Sequence, residues 1–242
     1  MRVLLPRPID GRDDLDDAGA RALVAAERRE PAGDRPWLVV NMVATLDGAT
    51  AVDGVTGALG GPADHLVFHA LRGIADVVLV AAGTARAEDY GPPRARPDGA
   101  PGRLAVVTRS GDLDPTARMF RSGNPLVLTC EACPADRRAA LAEVAEVVLA
   151  GDTAVDLALA LDELGSRGAR VVLCEGGPTL NGQLIEADLV DEWCLTVAPV
   201  LAGGDAKRAS VGGLAAAPPH PLALDRVLVA DDGDLLLRYV RP

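Results

Sequence analysis

The sequence contains few aromatic side chains, a single lysine and no long apolar run. Aromatic residues make up 2% of the 242 residues, so Val, Leu and Ala must fill the core, and a flat ligand finds few rings to stack on. No apolar run is long enough to span a bilayer, and the N-terminal residues lack the apolar core of a secretory signal. We therefore expect a cytoplasmic protein whose four cysteines are free thiols.

The charge balance disfavours one large class of partners. The formal net charge is −11, and Lys207 is the only lysine among cations that are otherwise arginines. Because nucleic-acid backbones are bound by positive surfaces, non-specific nucleic-acid binding is disfavoured. A small anionic ligand would need local donors, and a single arginine in such an arginine-rich chain does not indicate them.

Two sequence features raise the question of a metal site. His65 and His69 lie four residues apart, but Arg72 continues the same stripe, which is typical of an ordinary polar helix face. Cys130 and Cys133 form a C-x-x-C pair without a second pair, so we predict no metal site. The lack of a G-x-S-x-G segment also argues against a hydrolase.

Hydrophobic periodicity predicts an alternation of helices and strands. Helices are expected over residues 14–29, 62–72, 134–141 and 178–187, with one more that ends near Leu164 after a capping box of Thr153 and Asp156. Strands are expected over 37–45, 76–83, 103–108, 125–129, 145–150, 169–174 and 191–201, with two more within 225–240. This order predicts an α/β domain with a mostly parallel sheet and antiparallel C-terminal strands.

The segment VVLCEGGPTLNG, residues 171–182, is the strongest local signal of a binding site. A predicted strand ends at Glu175, and in open α/β sheets ligands bind beyond the carboxyl ends of the strands. Gly176 and Gly177 allow the backbone to approach a ligand, and Pro178 suits the first position of a helix. The pattern predicts an anion cradle suited to a pyrophosphate; a plain tight turn is the alternative interpretation.

Three segments in the same order resemble the reductase domain of the bacterial riboflavin-pathway deaminase–reductase, the RibD C-terminal family. They are NMVATLDGATAVDGVTGALGG (41–61), LRGIADVVLVAAGTARAEDYGPP (71–93) and EGGPTLNGQLIEADLVDEW (175–193). The resemblance covers roughly residues 37–240 and implies a dihydrofolate-reductase-like fold. It also implies that NADPH donates a hydride to the ring-opened imine of a ribosylamino-pyrimidine.

The resemblance implies a set of cofactor contacts. Val43 and Ala44 would line the nicotinamide pocket, while Arg109 and Ser110 would meet the adenosine ribose and its 2′-phosphate. The remaining residues implied for the cofactor are Gly83, Thr84, Glu88, Gly176, Gly177, Pro178, Thr179, Leu180 and Asn181.

The substrate side is implied less completely. Thr45, Asp47, Thr56 and Glu175 lie where the family has polar residues near the substrate, and Arg94 is the candidate to replace an arginine that the family places elsewhere. Asp47 and Glu175 are the candidate catalytic groups that would polarise the imine nitrogen. Asp47 is favoured as a structural or orienting residue rather than a general acid.

Departures from the family pattern leave the substrate open. Tyr90 replaces a proline, no arginine keeps the family register, and Gly57 with Ala58 replaces a frequent aromatic. We expect residues 1–36 to be an N-terminal extension with one helix, residues 37–242 to be the reductase domain, and no deaminase domain. A stand-alone, actinobacterial-type homodimer is expected, with VDEWCLTVAPVL (190–201) as a candidate interface strand.

Three functions remain open at this stage. The first is reduction of 5-amino-6-(5-phosphoribosylamino)uracil with NADPH, which the three ordered segments favour. The second keeps the fold and cofactor but takes dihydrofolate or another pterin, because the arginine register and the aromatic are lost. The third is a non-catalytic NADP(H)-binding protein.

Overall fold

A ten-stranded sheet runs through the molecule, with helices on both faces. The computed structural model describes residues 1–5, 14–31, 33–52, 56–57, 59–100, 102–121, 123–212 and 219–242. The strands are β1 (Arg2–Leu5), β2 (Trp37–Thr45), β3 (Val77–Ala81), β4 (Arg103–Val107), β5 (Leu126–Thr129), β6 (Glu146–Leu149), β7 (Val171–Cys174), β8 (Glu192–Ala198), β9 (Ala223–Val229) and β10 (Leu235–Val240). The helices are α1 (Asp17–Ala26), α2 (Pro62–Ile74), α3 (Ala82–Ala87), α4 (Ala135–Ala142), α5 (Leu157–Ser166) and α6 (Pro178–Glu186).

The strand order is β1-β9-β10-β8-β2-β7-β3-β4-β5-β6. Every pair from β8 to β6 is parallel, and every pair from β8 to β1 is antiparallel. The predicted α/β fold with a mostly parallel sheet and antiparallel C-terminal strands is therefore confirmed. Because β8 is paired on both sides, by β10 and β2, the candidate interface strand offers no free edge to a second copy.

Apolar side chains pack on both faces of the sheet. The alternation of residues along β2 shows which face each side chain covers. Leu38 and Val40 face the layer that contains α5 and α6. Val39 faces the layer that contains α1 and α2. Successive residues of a strand point to opposite faces, so a strand covered by helices on both sides must be apolar at nearly every position. Aliphatic side chains dominate both layers, as the scarcity of aromatic residues predicts.

Three local predictions need correction. The predicted strand over 76–83 ends at Ala81, where the short helix α3 begins. Thr153 is not part of a capping box, because the Asp156 side chain itself accepts hydrogen bonds from the N–H groups of Ala158 and Leu159. The N-terminal extension contributes β1 as well as α1, since β1 pairs with β9.

Buried ion pairs attach the N-terminal extension to the sheet. Glu192, at the start of β8, is fully buried and accepts hydrogen bonds from Arg29 at 2.7 Å and from Arg238 at 2.9 Å. Trp37 also donates to this carboxylate, at 3.1 Å. This cluster lies at the amino ends of β2 and β8, opposite the edge at which a ligand is expected.

The carboxyl ends of β2, β7, β3 and β4 lie side by side. The segments that leave this edge are residues 46–52, the turn 175–177, the start of α3 and the residues after β4. No helix among the described residues is long and apolar enough to cross a membrane.

Candidate functional site

Two adjoining cavities open at this edge of the sheet and share a wall of Met42, Thr56, Glu88 and Glu175. The first, here called the glycine cavity, has a volume of about 620 Å³ and is lined by two glycine-containing segments. The second, here called the arginine cavity, has a volume of about 420 Å³. Its further lining includes Asp64, His65, Phe68, Arg72, Tyr90 and Arg118.

The turn after β7 forms one wall of the glycine cavity. Backbone hydrogen bonds fix it to β3, from the Glu175 N–H to the Leu79 carbonyl at 3.0 Å and from the Ala81 N–H to the Gly176 carbonyl at 2.8 Å. Gly176 has φ +87°, and the Gly176–Gly177 peptide is cis. A Cβ on Gly177 would lie 2.5 Å from Thr84 Oγ1, so the backbone here packs directly on the threonine hydroxyl.

Helix α6 begins inside the turn and points its N-terminus at the glycine cavity. Pro178 occupies the first turn, where the N–H groups of Thr179 and Leu180 have no intrahelical acceptor. These donors and the helix dipole favour an anion at this position. The predicted turn and helix start are present, and the Leu180 side chain is buried in the core.

The predicted ligand contact of the Asn181 side chain is not supported. Asn181 is fully buried, and its Nδ2 donates to the Ala209 carbonyl at 2.8 Å. Its backbone N–H is used within the helix, by the Gly177 carbonyl. Asn181 therefore holds residues 209–211 against α6 instead of facing the cavity; the Val211 N–H completes this contact with the Pro178 carbonyl.

Residues 202–207 form the opposite wall of the glycine cavity and end in the only lysine of the chain. The N–H and the hydroxyl of Thr50 both bond the Lys207 carbonyl, at 3.1 and 2.8 Å. Among the described residues that line this cavity, Lys207 is the one cation, facing Glu88, Glu175 and Asp205. No sequence motif indicates a role for Lys207.

Glu175 is the centre of the shared wall and is held by two side chains of the arginine cavity. Its carboxylate accepts from Arg72 Nε at 2.7 Å, from Arg72 Nη2 at 2.6 Å and from the Tyr90 hydroxyl at 2.7 Å. Arg72 also lies over the Phe68 ring, 4.3 Å from its centroid. Burial raises the pKa of the Tyr90 phenol well above its usual value, and the neighbouring Glu175 carboxylate adds to the effect, so the hydroxyl stays a donor.

This arrangement corrects the interpretation of Arg72 as part of an ordinary polar helix face. Arg72 lies in the last turn of α2 and meets Glu175 across a sequence separation of 103 residues. Tyr90, noted only as a departure from the family pattern, reaches the same carboxylate across 85 residues. A bidentate arginine–carboxylate pair is directional and strong, so Arg72 fixes the position of the Glu175 side chain.

Thr56 and Glu88 meet as a second fixed contact on the shared wall. Glu88 Oε1 accepts from the Thr56 N–H at 3.0 Å and from its hydroxyl at 3.1 Å. The implied positions of Gly83 and Thr84 also agree, because both line the glycine cavity. Val43 lines the arginine cavity, whereas the buried Ala44 lines neither.

Asp47 lies outside both linings and closes a turn. Its carboxylate accepts from the hydroxyl of Thr45 and from the N–H groups of Ala202 and Gly203, the latter at 2.6 Å. The hydrogen bond from Thr45, followed by those from Gly203 and Ala202, lowers the pKa of Asp47 to about 2. Asp47 has no proton to donate at neutral pH, and its carboxylate connects the turn after β2 to the 202–207 wall.

Neither of the two predicted arginines, Arg94 and Arg109, lines a cavity. Arg94 is exposed and lines neither cavity, whereas Arg118 lines the arginine cavity beside Asp89, at 2.8 Å. Arg109 and Ser110 are exposed after β4, outside both linings. They lie on the same edge of the sheet, so a ligand extending from the glycine cavity past β3 would meet them.

Asp64 is a buried acid in the arginine cavity that the sequence analysis did not identify. It lies in the first turn of α2 and is 9% exposed. Burial raises the pKa of Asp64, and a hydrogen bond from the Thr196 side chain opposes the shift in part. Gly60 also lines this cavity, and a Cβ on Gly60 would overlap Asp64 Oδ2. Because Gly60 has no side chain, the Asp64 carboxyl group is accessible from the cavity.

The described residues contain no group of three or more His, Cys, Asp and Glu side chains that could hold a metal ion. His65 lines the arginine cavity without such partners, and Cys130 and Cys133 are buried.

Comparisons with known proteins agree with the geometry. The sequence profile of one family, the RibD C-terminal domain, matches residues 36–231. A 2,5-diamino-6-ribosylamino-4(3H)-pyrimidinone 5′-phosphate reductase of Methanothermobacter thermautotrophicus is 35% identical over 183 residues, which cover 74% of this chain and 85% of that protein. A reductase of the same description from Archaeoglobus fulgidus is 30% identical over 182 residues, covering 70% of this chain and 83% of that protein.

Solved structures of known proteins share the fold of this chain. A pyrimidine reductase-like protein from Corynebacterium diphtheriae superposes with a TM-score of 0.74 at 25% identity, covering 91% of this chain and 98% of that chain. RibD from Acinetobacter baumannii shares the fold, with a TM-score of 0.72 at 22% identity; 87% of this chain and 59% of that chain are covered.

Proposed function

The chain belongs to the family of RibD C-terminal reductase domains, and from this premise we propose that it is an NADPH-dependent reductase of a riboflavin-pathway pyrimidine 5′-phosphate. The observation that carries the proposal is the shared wall. A cavity built of backbone and small residues adjoins a cavity built of charged and aromatic side chains, and the two meet at Glu175. Such a pair of sites can hold a hydride donor and its acceptor in contact, which is the main demand of the reaction.

The glycine cavity fits a nicotinamide dinucleotide. Gly177 has no side chain, so its backbone packs directly on Thr84 beside the cavity, and the free N–H groups at the start of α6 suit a pyrophosphate. Lys207 supplies the one cation of this lining within the described residues. Farther along the edge, Arg109 and Ser110 would reach a 2′-phosphate, with Arg137 beside them through its 3.0 Å bond to the Ser110 carbonyl.

The arginine cavity fits the phosphorylated substrate. Arg72 binds Glu175 through Nε and Nη2, and the Arg118 guanidinium lines the same cavity. The two guanidinium groups would bind the phosphate or the sugar hydroxyls of the substrate. This assignment replaces Arg94, which lies outside the cavity.

The bound cofactor supplies a hydride, and the protein positions the carbon that receives it. The imine carbon of the ring-opened sugar would lie at the shared wall, and the Glu175 carboxylate, paired with Arg72, would stabilise the positive charge of the protonated imine. Because Glu175 is fixed by Arg72 and Tyr90 before the substrate arrives, its charge needs no reorganisation during the transfer. Glu175 therefore acts as an electrostatic stabiliser rather than as a proton donor.

The experiment is to follow NADPH oxidation by absorbance with two substrates, the 2,5-diamino-6-ribosylamino-4(3H)-pyrimidinone 5′-phosphate and 5-amino-6-(5-phosphoribosylamino)uracil. We expect turnover of at least one of them, with NADH much less effective. Binding of NADPH without oxidation in the presence of either compound would contradict the proposal.

A second candidate is reduction of dihydrofolate or another pterin at the same site. The observation that favours it is Asp64, because a buried carboxyl suits a ring that carries an amino group beside a ring N–H. Turnover of dihydrofolate at a higher kcat/KM than either pyrimidine would make this the principal function. No turnover of dihydrofolate at high enzyme concentration would remove it.

A further inference from the structure

We propose that Asp64 binds the pyrimidine edge of the substrate and selects a 2-amino-4-oxopyrimidine over a 2,4-dioxopyrimidine. The proposal rests on the proposed function, because it names the substrate class of the arginine cavity. The two pyrimidine substrates differ at ring position 2, where the diaminopyrimidinone carries an amino group and the aminouracil a carbonyl oxygen.

Two buried carboxylates line the arginine cavity, and only one of them has its hydrogen bonds filled from the protein. Glu175 accepts from Arg72 twice and from Tyr90 once. Asp64 has the hydroxyl of Thr196 as its one donor among the described residues. An ionised carboxylate can accept about four hydrogen bonds, so Asp64 leaves its remaining capacity for a ligand.

The surroundings of Asp64 also favour N–H donors as its partner. His65 is the one basic residue that lowers the pKa of Asp64, and no arginine pairs with Asp64 within the described ranges. Asp234 is close enough to interact with Asp64 unfavourably. A buried carboxyl without a fixed cation is costly to ionise, and two N–H donors from a bound ring would offset that cost.

The ring chemistry decides which substrate supplies those donors. A 2-amino-4-oxopyrimidine presents an amino N–H and the adjacent ring N–H side by side, and a carboxylate accepts both. A 2,4-dioxopyrimidine presents a carbonyl oxygen in place of the amino group, so two acceptors face each other. Sites built to bond a given polar group reject analogues that leave a buried group unpaired.

Gly60 keeps this carboxyl accessible from the cavity. A side chain at Gly60 would overlap Asp64 Oδ2, so Gly60→Ala should displace the carboxyl without removing it. Thr196, on β8, bonds the carboxyl from the side of the sheet and fixes its direction. The Gly60→Ala variant therefore serves as a second, independent test of the same contact.

The experiment compares kcat/KM for the two pyrimidine substrates in the wild type and in Asp64→Asn. We expect the wild type to prefer the diaminopyrimidinone by about 10²-fold or more, in line with the cost of an unpaired buried group. In Asp64→Asn the ratio should fall to within roughly tenfold, because the amide can donate to a 2-carbonyl oxygen. Gly60→Ala should lower the ratio in the same direction.

The matched control is Asp136→Asn, at an exposed acid in the first turn of α4, which should leave the ratio unchanged. Thermal unfolding of each variant shows that it is folded. A wild-type preference for the aminouracil, or an unchanged ratio in folded Asp64→Asn, would overturn the proposal. If the wild type turns over neither substrate, the proposed function fails. In that case the ratio of dissociation constants for the free 2-amino-4-oxo and 2,4-dioxo rings, measured in wild type and Asp64→Asn, still decides the role of Asp64.

Discussion

The two cavities at the edge of the sheet are built in opposite ways. The glycine cavity owes its shape to absent side chains: Gly177 packs on Thr84, and residues 202–207 are mostly small. The arginine cavity owes its shape to side chains that hold one another, with Arg72 and Tyr90 both bonded to Glu175. The difference indicates that adding atoms should damage the first cavity, whereas removing a charge should damage the second.

The largest effect is expected from Glu175→Gln, which removes the negative charge of the group that accepts hydrogen bonds from Arg72 and Tyr90. Loss of one partner of a buried ion pair is strongly destabilising to the group left behind. We predict a fall in kcat/KM of roughly 10²-fold or more, equivalent to about 3 kcal/mol, with little change in NADPH affinity. Steady-state kinetics and NADPH titration measure the two quantities separately.

Tyr90→Phe is the matched comparison for that variant, since it removes one donor and keeps the ion pair. Its loss in kcat/KM should stay within about tenfold, the scale of a single hydrogen bond. Equal losses in the two variants would mean that the charge of Glu175 is not what matters.

The second effect is expected from Gly177→Ala, because the new Cβ would lie 2.5 Å from Thr84 Oγ1. The turn must shift, and we predict that the dissociation constant for NADPH rises about tenfold or more, on the scale of an overpacked contact. The double variant Gly177→Ala/Thr84→Ala should regain part of the affinity, because the overlapping oxygen is gone. Failure of the second substitution to recover any binding would contradict this explanation of the glycine.

A smaller effect is expected from Lys207→Gln, which removes the one described cation of the glycine cavity. We predict a three- to tenfold weaker NADPH affinity, about 1 kcal/mol, and a weaker dependence on salt. Since Lys207 is the only lysine, an amine-reactive reagent can label it alone apart from the N-terminus. NADPH should protect Lys207 from labelling, as read by mass spectrometry; equal labelling with and without NADPH would remove Lys207 from the site.

The smallest effect concerns stability and follows from the buried Asp64. Burial raises the pKa of Asp64 in the folded state, so ionisation of this group disfavours folding. The penalty is absent below the unfolded-state pKa, near 3.8, and grows as pH rises through the higher folded-state value. Asp64→Asn should therefore raise Tm at pH 7.5, by about 2–4 °C for each kcal/mol, and have little effect near pH 4. A lower Tm at pH 7.5 would show that the carboxylate stabilises the free protein.

The comparison also explains which parts of the site could be predicted from the sequence. The turn at Gly176 and Gly177 is local, so a strand, two glycines and a proline in succession predict both its place and its backbone donors. The pairing of Glu175 with Arg72 joins residues 103 apart and depends on the order of β7 and β3 in the sheet. Sequence periodicity carries no signal for such a contact, which is why the spacing of His65, His69 and Arg72 predicts only an ordinary polar helix face.

Other misses have equally specific causes. The family resemblance implies a cofactor contact for Asn181, but at its position on α6 the side chain points to the buried side, where it bonds the Ala209 carbonyl. Strand β1 is only four residues long and is recognisable through its pairing with β9, more than 200 residues away in the chain. Residue periodicity needs longer segments than β1 to indicate a strand.

The central claim is that a dinucleotide in the glycine cavity delivers hydride across the wall at Glu175 into the arginine cavity. Its most direct test is a reaction with NADPH deuterated on one face at C4 of the nicotinamide, with the product analysed by mass spectrometry and NMR. The account predicts one deuterium at the sugar C1 of the ribitylamino product from one of the two C4-deuterated cofactors and none from the other. Oxidation of the cofactor without transfer of deuterium to the product from either one would contradict it.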